Sequence, residues 1–383
     1  MSTSVLTEKD FAEIIAKNGG RVFRVGDCVC DSFMGVTPKD IDFCIVGMVK
    51  KNFKMIFPEA EECAKSISVF RLGIDGITRE VAFARTERKE GSGYKVSTKP
   101  KITIEEDLFR RDITANSMAI DVLTGEIIDP YHGRRDIEGK IIRATSQHFS
   151  NDPMRAVRLA GQSARLGFDI DGDTLPLVSA AAEELAHKPV EQIATELGKV
   201  LSEAREPGRY FEVLAKTSLL QITFKEISDL SKEEFKRVIA GLDSVAKATQ
   251  NSKLRFAAFG VVLGKERLLL WNNRMTLPGD WLDAAVTVSE IIGSLENPTP
   301  DKIVDTINKL RRGSLTIEDF DLIAQAAGLK IPQLGPLKDI TVLPAGEVVP
   351  KTLKGKEIGE WLRAKHVKAI SEHLHFESNS RRQ

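Results

Sequence analysis

The sequence predicts an α+β protein, with a mixed sheet and helices in an N-terminal head and an all-helical remainder. Three observations carry this. Short apolar runs with strand-like alternation recur early in the chain, bounded by Gly, Pro, Asn and Asp. From Ile137 onward those runs fade and helical periods dominate. Finally, 383 residues exceed the length at which one hydrophobic core stops growing, roughly 250 to 300 residues, so several cores are expected.

Composition narrows the classes. The 55 Lys and Arg balance 55 Asp and Glu, so any contact with nucleic acid must rest on local patches rather than a global basic excess. The first ten residues lack a signal-like n-region and h-region, and the apolar stretch 256–263 is far shorter than the ~18 residues of a membrane span. A soluble, cytoplasmic protein with no membrane partner is expected. Cys28, Cys30, Cys44 and Cys63 form no C-x-x-C pair, which fits reduced thiols better than a zinc site or a disulfide frame.

In chain order, residues 5–17 read as an amphipathic helix stopped by Asn18-Gly19-Gly20, and residues 21–25 as a short buried strand. Residues 26–42, GDCVCDSFMGVTPKDID, then suit a tight turn, a helix and a strand carrying Asp40 and Asp42. Residues two apart on a strand share a face, so the two carboxylates are expected side by side. Such a pair repels unless a cation lies between, and Mg²⁺ takes one or two carboxylates plus substrate phosphates. D-x-D is also common on exposed strand ends; the glycine turn before it is what favours metal-assisted phosphoryl transfer.

Residues 58–64 suit a helix, and 66–72 and 78–84 two strands joined at Asp75-Gly76. Residues 85–101 combine basic side chains with Gly-Ser-Gly and no apolar period, which predicts a mobile basic loop, either a solvated connection or a substrate-touching flap. A charged helix over 105–111 leads into RRDITANSMA, where Arg111, Asp112 and Asn116 cluster planar donors and acceptors suited to phosphate oxygens. A strand pair around Thr124-Gly125 closes the head. The first clear helix of the remainder starts at Asn151-Asp152-Pro153 and stops at Gly167. Asp152, Arg155 and Arg158 recur every third residue there, either as a surface ion-pair row or as an edge that can hydrogen-bond a nucleobase.

Together these segments resemble the class II tRNA nucleotidyltransferases (CCA-adding enzymes) and bacterial poly(A) polymerases, within the polymerase β type of nucleotidyltransferases. Residues 26–42 resemble the family's G-G-x-V-R-D, spacer, D-x-D; 110–119 its R-R-D-x-T-x-N-A-x-A; 129–137, DPYHGRRDI, its D-P-x-x-G-x-x-D-L; and 152–158, DPMRAVR, its base-templating E-D-P-x-R-x-x-R. Residues 84–94, ARTERKEGSGY, look like the enteric type of CCA-adding enzyme.

The resemblance implies a catalytic head over 1–136, a neck with a base-reading helix over 137–205, a helical body over 206–330 and a tail over 331–383. It implies that Asp40 and Asp42 hold Mg²⁺ and that Gly26, Asp27, Cys30, Arg111, Asp112 and Asn116 surround the nucleotide, which Arg111 grips. Asp152 and Arg155, helped by Arg158, would read C and A. The implied activity is addition of CCA to the 3′ end of tRNA from CTP and ATP, with the acceptor arm held by the helical part. A poly(A) polymerase and an RNA-binding relative without catalysis are the alternatives.

The departures are specific. Asp27 stands at the family's second Gly and Cys30 at its Arg, which turns a positive site negative unless Arg24 or Lys39 compensates. Asn151 replaces Glu, and Gln192 replaces an Arg after Glu191. Glu80 is a candidate third acid. Residues 254–265, LRFAAFGVVLGK, resemble a segment of the phosphohydrolase domain attached to some enteric-type relatives, with Val261 and Val262 in place of its metal-binding His and Asp. A last helix is expected from Lys356 to about His373, followed by a disordered SNSRRQ end.

Overall fold

The computed structural model describes residues 5–64, 67–90, 93–342 and 348–380. The chain forms two compact units, the first ending at Lys188 and the second beginning at Pro189.

In the first unit, helix α1 (Glu8–Lys17) starts at Thr7, whose hydroxyl accepts from the Asp10 N–H while the Asp10 carboxylate accepts from the Thr7 N–H. Strand β1 (Arg21–Val25) enters a turn at Gly26, φ 79°, which opens α2 (Asp27–Phe33). There follow β2 (Asp42–Val46), α3 (Lys50–Ile56), β3 (Glu61–Ala64), β4 (Val69–Ile74), β5 (Ile77–Phe83), β6 (Thr86–Glu90), β7 (Gly93–Ser97) and α4 (Ile104–Phe109). After a 3₁₀ turn at Thr114–Asn116 come β8 (Ala119–Asp121), β9 (Ile127–Ile128), α5 (Gly133–Glu138), β10 (Ile141–Ile142), α6 (Met154–Leu166) and β11 (Asp169–Ile170).

The main sheet has the order β3-β4-β5-β2-β1-β8-β9. It is mixed because β2 and β5 run parallel, with Phe43 opposite Val81, while the other pairs are antiparallel. That register sets Asp42 and Glu80, one residue earlier on each strand, at neighbouring positions. One apolar cluster joins Phe11 of α1 and Phe53 of α3 to Phe43, Phe70 and Phe83 of the sheet. Another joins Ile104 and Leu108 of α4 to Phe23 and Cys44. The sheet is thus a buried floor whose strand ends are free to carry polar groups.

Four expectations are corrected. The helix of this region is α3, centred on buried Phe53, and not 58–64; there Glu61 and Glu62 pair with Arg71 and Phe70 as an edge strand, and ladder bonding outweighs the helix propensity of Glu and Ala. The expected loop over 85–101 is an antiparallel hairpin, β6 with β7, from Thr86 opposite Ser97 to Glu90 opposite Gly93. Its mostly polar residues hide the alternation by which a strand is read, and Gly91 and Ser92 lie outside the described residues. Past Ile137 the chain is helical except for the parallel pair β10–β11. The last helix, Lys356–Ser380, runs into the expected disordered end, and 381–383 lie outside the described residues.

The second unit is helical. One apolar cluster joins Leu254, Ala257 and Ala258 to Val288, Ile291, Ile307 and Phe320. Phe224, Phe256 and Phe259 surround Trp271 with ring centroids 5.2 to 5.8 Å away. The segment with Val261 and Val262 opens the helix Gly260–Arg274, which kinks at Gly264 (φ 74°). Among the described residues no helix is long and apolar enough to cross a membrane.

Candidate functional site

The first group of expected residues gathers where β1 hands over to α2. A Cβ placed on Gly26 would lie 3.5 Å from Arg111 Nη1 and 4.0 Å from Asp42 Oδ2, so the bare glycine, the guanidinium and the carboxylate line one space. Asp42 opens β2, whereas Asp40 lies just before the strand, its side chain 85% exposed and 3.9 Å from Arg79. The two acids therefore do not sit on one regular strand face, as alternation alone predicts. They are coupled nonetheless. Loss of hydration, then the charge of Glu80, with smaller contributions from Asp27 and Asp40, pushes the Asp42 pKa up to about 6 against the pull of Arg111. A carboxylate this reluctant to ionise marks a concentration of negative charge that a cation would relieve. Among the described residues no group of three or more His, Cys, Asp or Glu is placed to hold a metal ion.

Arg111 is held from behind. Asp107 on α4, with no exposed side chain, accepts from Arg111 Nη2 at 3.0 Å and from Arg110 Nη2 at 2.8 Å, and also from the Arg85 N–H. Against burial, which alone would raise it, Arg110 and Arg111 hold the Asp107 carboxyl below its ordinary pKa. Asn116 in the 3₁₀ turn is buried, and its Oδ1 lacks a hydrogen-bond partner. Cys30, by contrast, is fully enclosed on α2, and burial pushes its thiol up to about 12, so it is neutral and offers no face to a nucleotide.

The second group lies at the start of α6. Asp152 Oδ1 accepts from the Met154 N–H at 3.1 Å, and its Oδ2 accepts from Arg158 Nη2 at 2.8 Å; Lys188 lies 3.9 Å away. Arg158 also approaches Asp112 at 3.9 Å. Despite burial, Arg158 keeps the Asp152 pKa below its ordinary value. Arg155 turns elsewhere, donating to the His148 carbonyl at 2.7 Å and to Glu87 at 3.4 Å. Arg155 and Arg158 lie on α6 and Asp152 just before it, and the direct pair is Asp152 with Arg158.

Sequence reasoning missed three residues. Glu87 of β6 collects Arg85 at 3.1 Å, Arg110 at 3.3 Å and Arg155 at 3.4 Å, tying the hairpin to the helix start. Asp107 had a legible signal, because it precedes the two arginines by three and four residues on a helix. Arg165 had none, since its ionic partners on α2 are more than a hundred residues away in sequence.

Residues 22–143 match the poly A polymerase head domain, and 167–230 match the probable RNA and SrmB- binding site of polymerase A. The multifunctional CCA protein of Haemophilus influenzae (strain PittGG) is 36% identical over 271 residues, 64% of this chain and 64% of that protein. Among solved structures, a complex of a CCA-adding enzyme with ATP matches with TM-score 0.69 at 20% identity, over 93% of this chain and 87% of that one. The Bacillus stearothermophilus CCA-adding enzyme in complex with CTP matches with TM-score 0.66 at 21% identity, over 96% and 97%. A tRNA nucleotidyltransferase complexed with a primer tRNA and an incoming ATP analog gives TM-score 0.65 at 22% identity, over 82% and 93%. The likeness to these structures is one of fold.

Proposed function

Because the chain belongs to the family of class II CCA-adding enzymes and bacterial poly(A) polymerases, we propose that it is a template-independent tRNA nucleotidyltransferase of the cytoplasm. It adds C and A to the 3′ end of tRNA from CTP and ATP and releases pyrophosphate. The observation that carries this is the convergence of bare Gly26, Arg111 and Asp42 beside further acids. The named relative and the CTP, ATP and tRNA complexes of the structural neighbours support the choice of substrates. The division into head 1–136, neck 137–205, body 206–330 and tail 331–383 belongs to the same proposal.

Nucleotidyltransferases of this family typically use a divalent metal. Here Asp40 and Asp42 would hold it, and their hard carboxylate oxygens suit Mg²⁺, which takes one or two carboxylates together with substrate phosphates. The donor set fits, since the suppressed ionisation of Asp42 is what a bound cation reverses. When bound, the ion supplies positive charge for the attacking and leaving oxygens.

The chain's own residues do the rest. Gly26, with no side chain, leaves room for the triphosphate. Arg111, with Asp107 fixing its Nε and Nη2 side, keeps Nη1 toward that space as a donor to phosphate oxygens. Asp27, Asp112 and Asn116 border the nucleotide, and the unpaired Oδ1 of Asn116 is an acceptor awaiting a donor. Asp152, Arg155 and Arg158 read the base, for which the Asp152–Arg158 and Arg155–Glu87 pairs must rearrange. Each good bidentate pair so formed is worth ~1 to 3 kcal/mol of discrimination.

The test is incubation of tRNA lacking its 3′ end with labelled CTP and ATP, separately and together. C and A incorporation that stops at CCA and vanishes in Asp40→Ala is expected. Extended A tracts without use of CTP would mark a poly(A) polymerase, and binding without incorporation would remove the enzymatic reading.

A further inference from the structure

The turn that should receive a triphosphate carries Asp27 and Asp31 on α2, and the buried thiol of Cys30 between them is neutral. Two negative charges without a local cation would repel a nucleotide. Arg24, one of the two bases expected to compensate, is engaged by Glu8 of α1, so its guanidinium is already committed. Lys39 is exposed in the stretch before Asp40.

The cation comes from the far end of the base-reading helix. Arg165 in the last turn of α6 donates from Nη1 to Asp31 Oδ1 at 2.8 Å, and its Nη2 lies 3.4 Å from Asp27 Oδ1. Its Nε donates to Gln162 at 2.9 Å, and Gln162 in turn reaches Asp27 at 3.4 Å. The guanidinium therefore spans both α2 carboxylates over Cys30. Nη2, buried, has an ion-pair neighbour but no hydrogen-bond partner, so the fork is only partly used. A side chain 19% exposed with this geometry has little freedom to be elsewhere.

We propose that Arg165 is a positioning residue for the nucleotide: reaching α2 from α6, it offsets Asp27 and anchors Asp31, supplying from another helix the positive charge that the turn lacks at Cys30. This rests on the reading of the site as a nucleotidyltransferase centre. It also couples the helix that reads the base to the turn that holds the triphosphate, because the same thirteen-residue helix bears Arg155, Arg158 and Arg165.

Equilibrium binding of CTP and ATP in the presence of Mg²⁺, together with KM and kcat for addition, tests this on the full chain. Arg165→Gln keeps a donor for Asp31 but removes the charge. It should weaken nucleotide binding and raise KM about tenfold, the effect of losing one weak charge interaction of ~1.4 kcal/mol, with kcat held within about twofold. Arg165→Lys should stay within about twofold of the unsubstituted protein. The decisive arm is Asp27→Gly: with the charge that Arg165 offsets gone, adding Arg165→Gln should cost less than about threefold. Should Arg165→Gln fail to fold, Arg165→Met, which keeps the aliphatic stem, replaces it in the same cycle. Unchanged affinity in the single variant, or an equal loss in both backgrounds, overturns the inference while leaving the functional reading intact. An unsubstituted protein that binds neither nucleotide overturns both.

Discussion

The arginines around the site and the buried Arg255 of the second unit serve different ends, although the second unit also holds the ion pairs Arg274–Glu226 and Arg363–Asp305. Around the site, arginines face carboxylates: Arg85, Arg110 and Arg155 on Glu87, Arg110 and Arg111 on Asp107, Arg158 on Asp152, Arg165 on Asp31. In the second unit, buried Arg255 faces carbonyls. It donates to Leu201 and Ala204 at 3.0 Å, to Ala246 at 3.1 Å and to Thr249 at 2.8 Å, closing the C-terminal ends of the helices Val190–Glu203 and Lys232–Ala248. A carbonyl at a helix end needs a donor in every state of the protein. A carboxylate–guanidinium pair can exchange its partner for a phosphate or a base. The contrast separates ionic groups that can be re-used from ionic groups that only close the fold.

The sharpest break falls on the re-usable side. Asp42→Asn keeps size and most hydrogen bonding at the head of β2 while removing the charge proposed to hold the metal. Losing several kcal/mol of charge stabilisation corresponds to about a thousandfold in rate. Single-turnover incorporation of labelled CTP should fall by at least that factor, with the melting temperature held or raised, because burial and then the charge of Glu80 push this carboxyl's pKa up to about 6 and so make its charged form costly. Activity within tenfold of the unsubstituted protein would remove Asp42 from the reaction.

Asp107→Asn strikes both function and stability. It leaves Arg111 largely buried without its counter-ion and Arg110 with Glu87 alone, a change that costs about 3 to 5 kcal/mol. Denaturant unfolding should show that loss at pH 7, and KM for nucleotide should rise because Arg111 is no longer held. The sign with pH follows from the depressed folded-state pKa. The contribution is present above the unfolded carboxylate value of about 3.9 and is lost as pH falls through the lower folded value. The substituted protein, already without it, should unfold with a flatter acid dependence; a dependence as steep as before would place the acid sensitivity elsewhere.

Arg255→Met is the matching change in the second unit. Four backbone carbonyls lose a charged donor, and an unsatisfied buried acceptor costs about 1 to 3 kcal/mol. Stability should drop by roughly that range, partly recovered by the apolar stem that Met keeps, while affinity for CTP and ATP stays within about twofold. Loss of nucleotide affinity with intact folding would mean that the unit's role exceeds closure.

How much of this was legible in the chain follows from how local each signal is. The α1 helix, the β4–β5 hairpin at Asp75-Gly76 and the stop at Gly167 rest on residues within one turn of each other, and all are found in the fold. The β6–β7 hairpin was hidden because its residues are mostly polar, so no clear strand or helix period emerges. At the site, Gly26, Asp42 and Arg111 were recognisable from motif residues, and their convergence is seen in the fold. The enclosure of Cys30, the hold of Glu87 on Arg155 and the reach of Arg165 to α2 depend on tertiary packing between elements distant in sequence. No spacing rule encodes such contacts. The charge deficit at Asp27 and Cys30 could be read from the sequence, but not the residue that answers it.

The smallest expected effect concerns the segment 254–265, where the contrast between re-used and purely structural groups is most complete. Leu254, Ala257 and Ala258 are buried in an apolar cluster of the second unit and Val261 packs against it, while Arg255 closes helix ends. Valine offers no lone pair, so Val261 and Val262 cannot ligate a metal where the resembling phosphohydrolase segment has His and Asp. Purified protein with Mg²⁺, Mn²⁺ or Ni²⁺ should therefore release no phosphate from 2′,3′-cyclic nucleotides above the metal-only rate. The paired substitution Val261→His/Val262→Asp should not create that activity either, because one His and one Asp are too few ligands and burying two polar groups near an apolar cluster costs stability. Metal-dependent release by the unsubstituted protein would show that this half of the molecule carries chemistry of its own, held by residues other than the two valines.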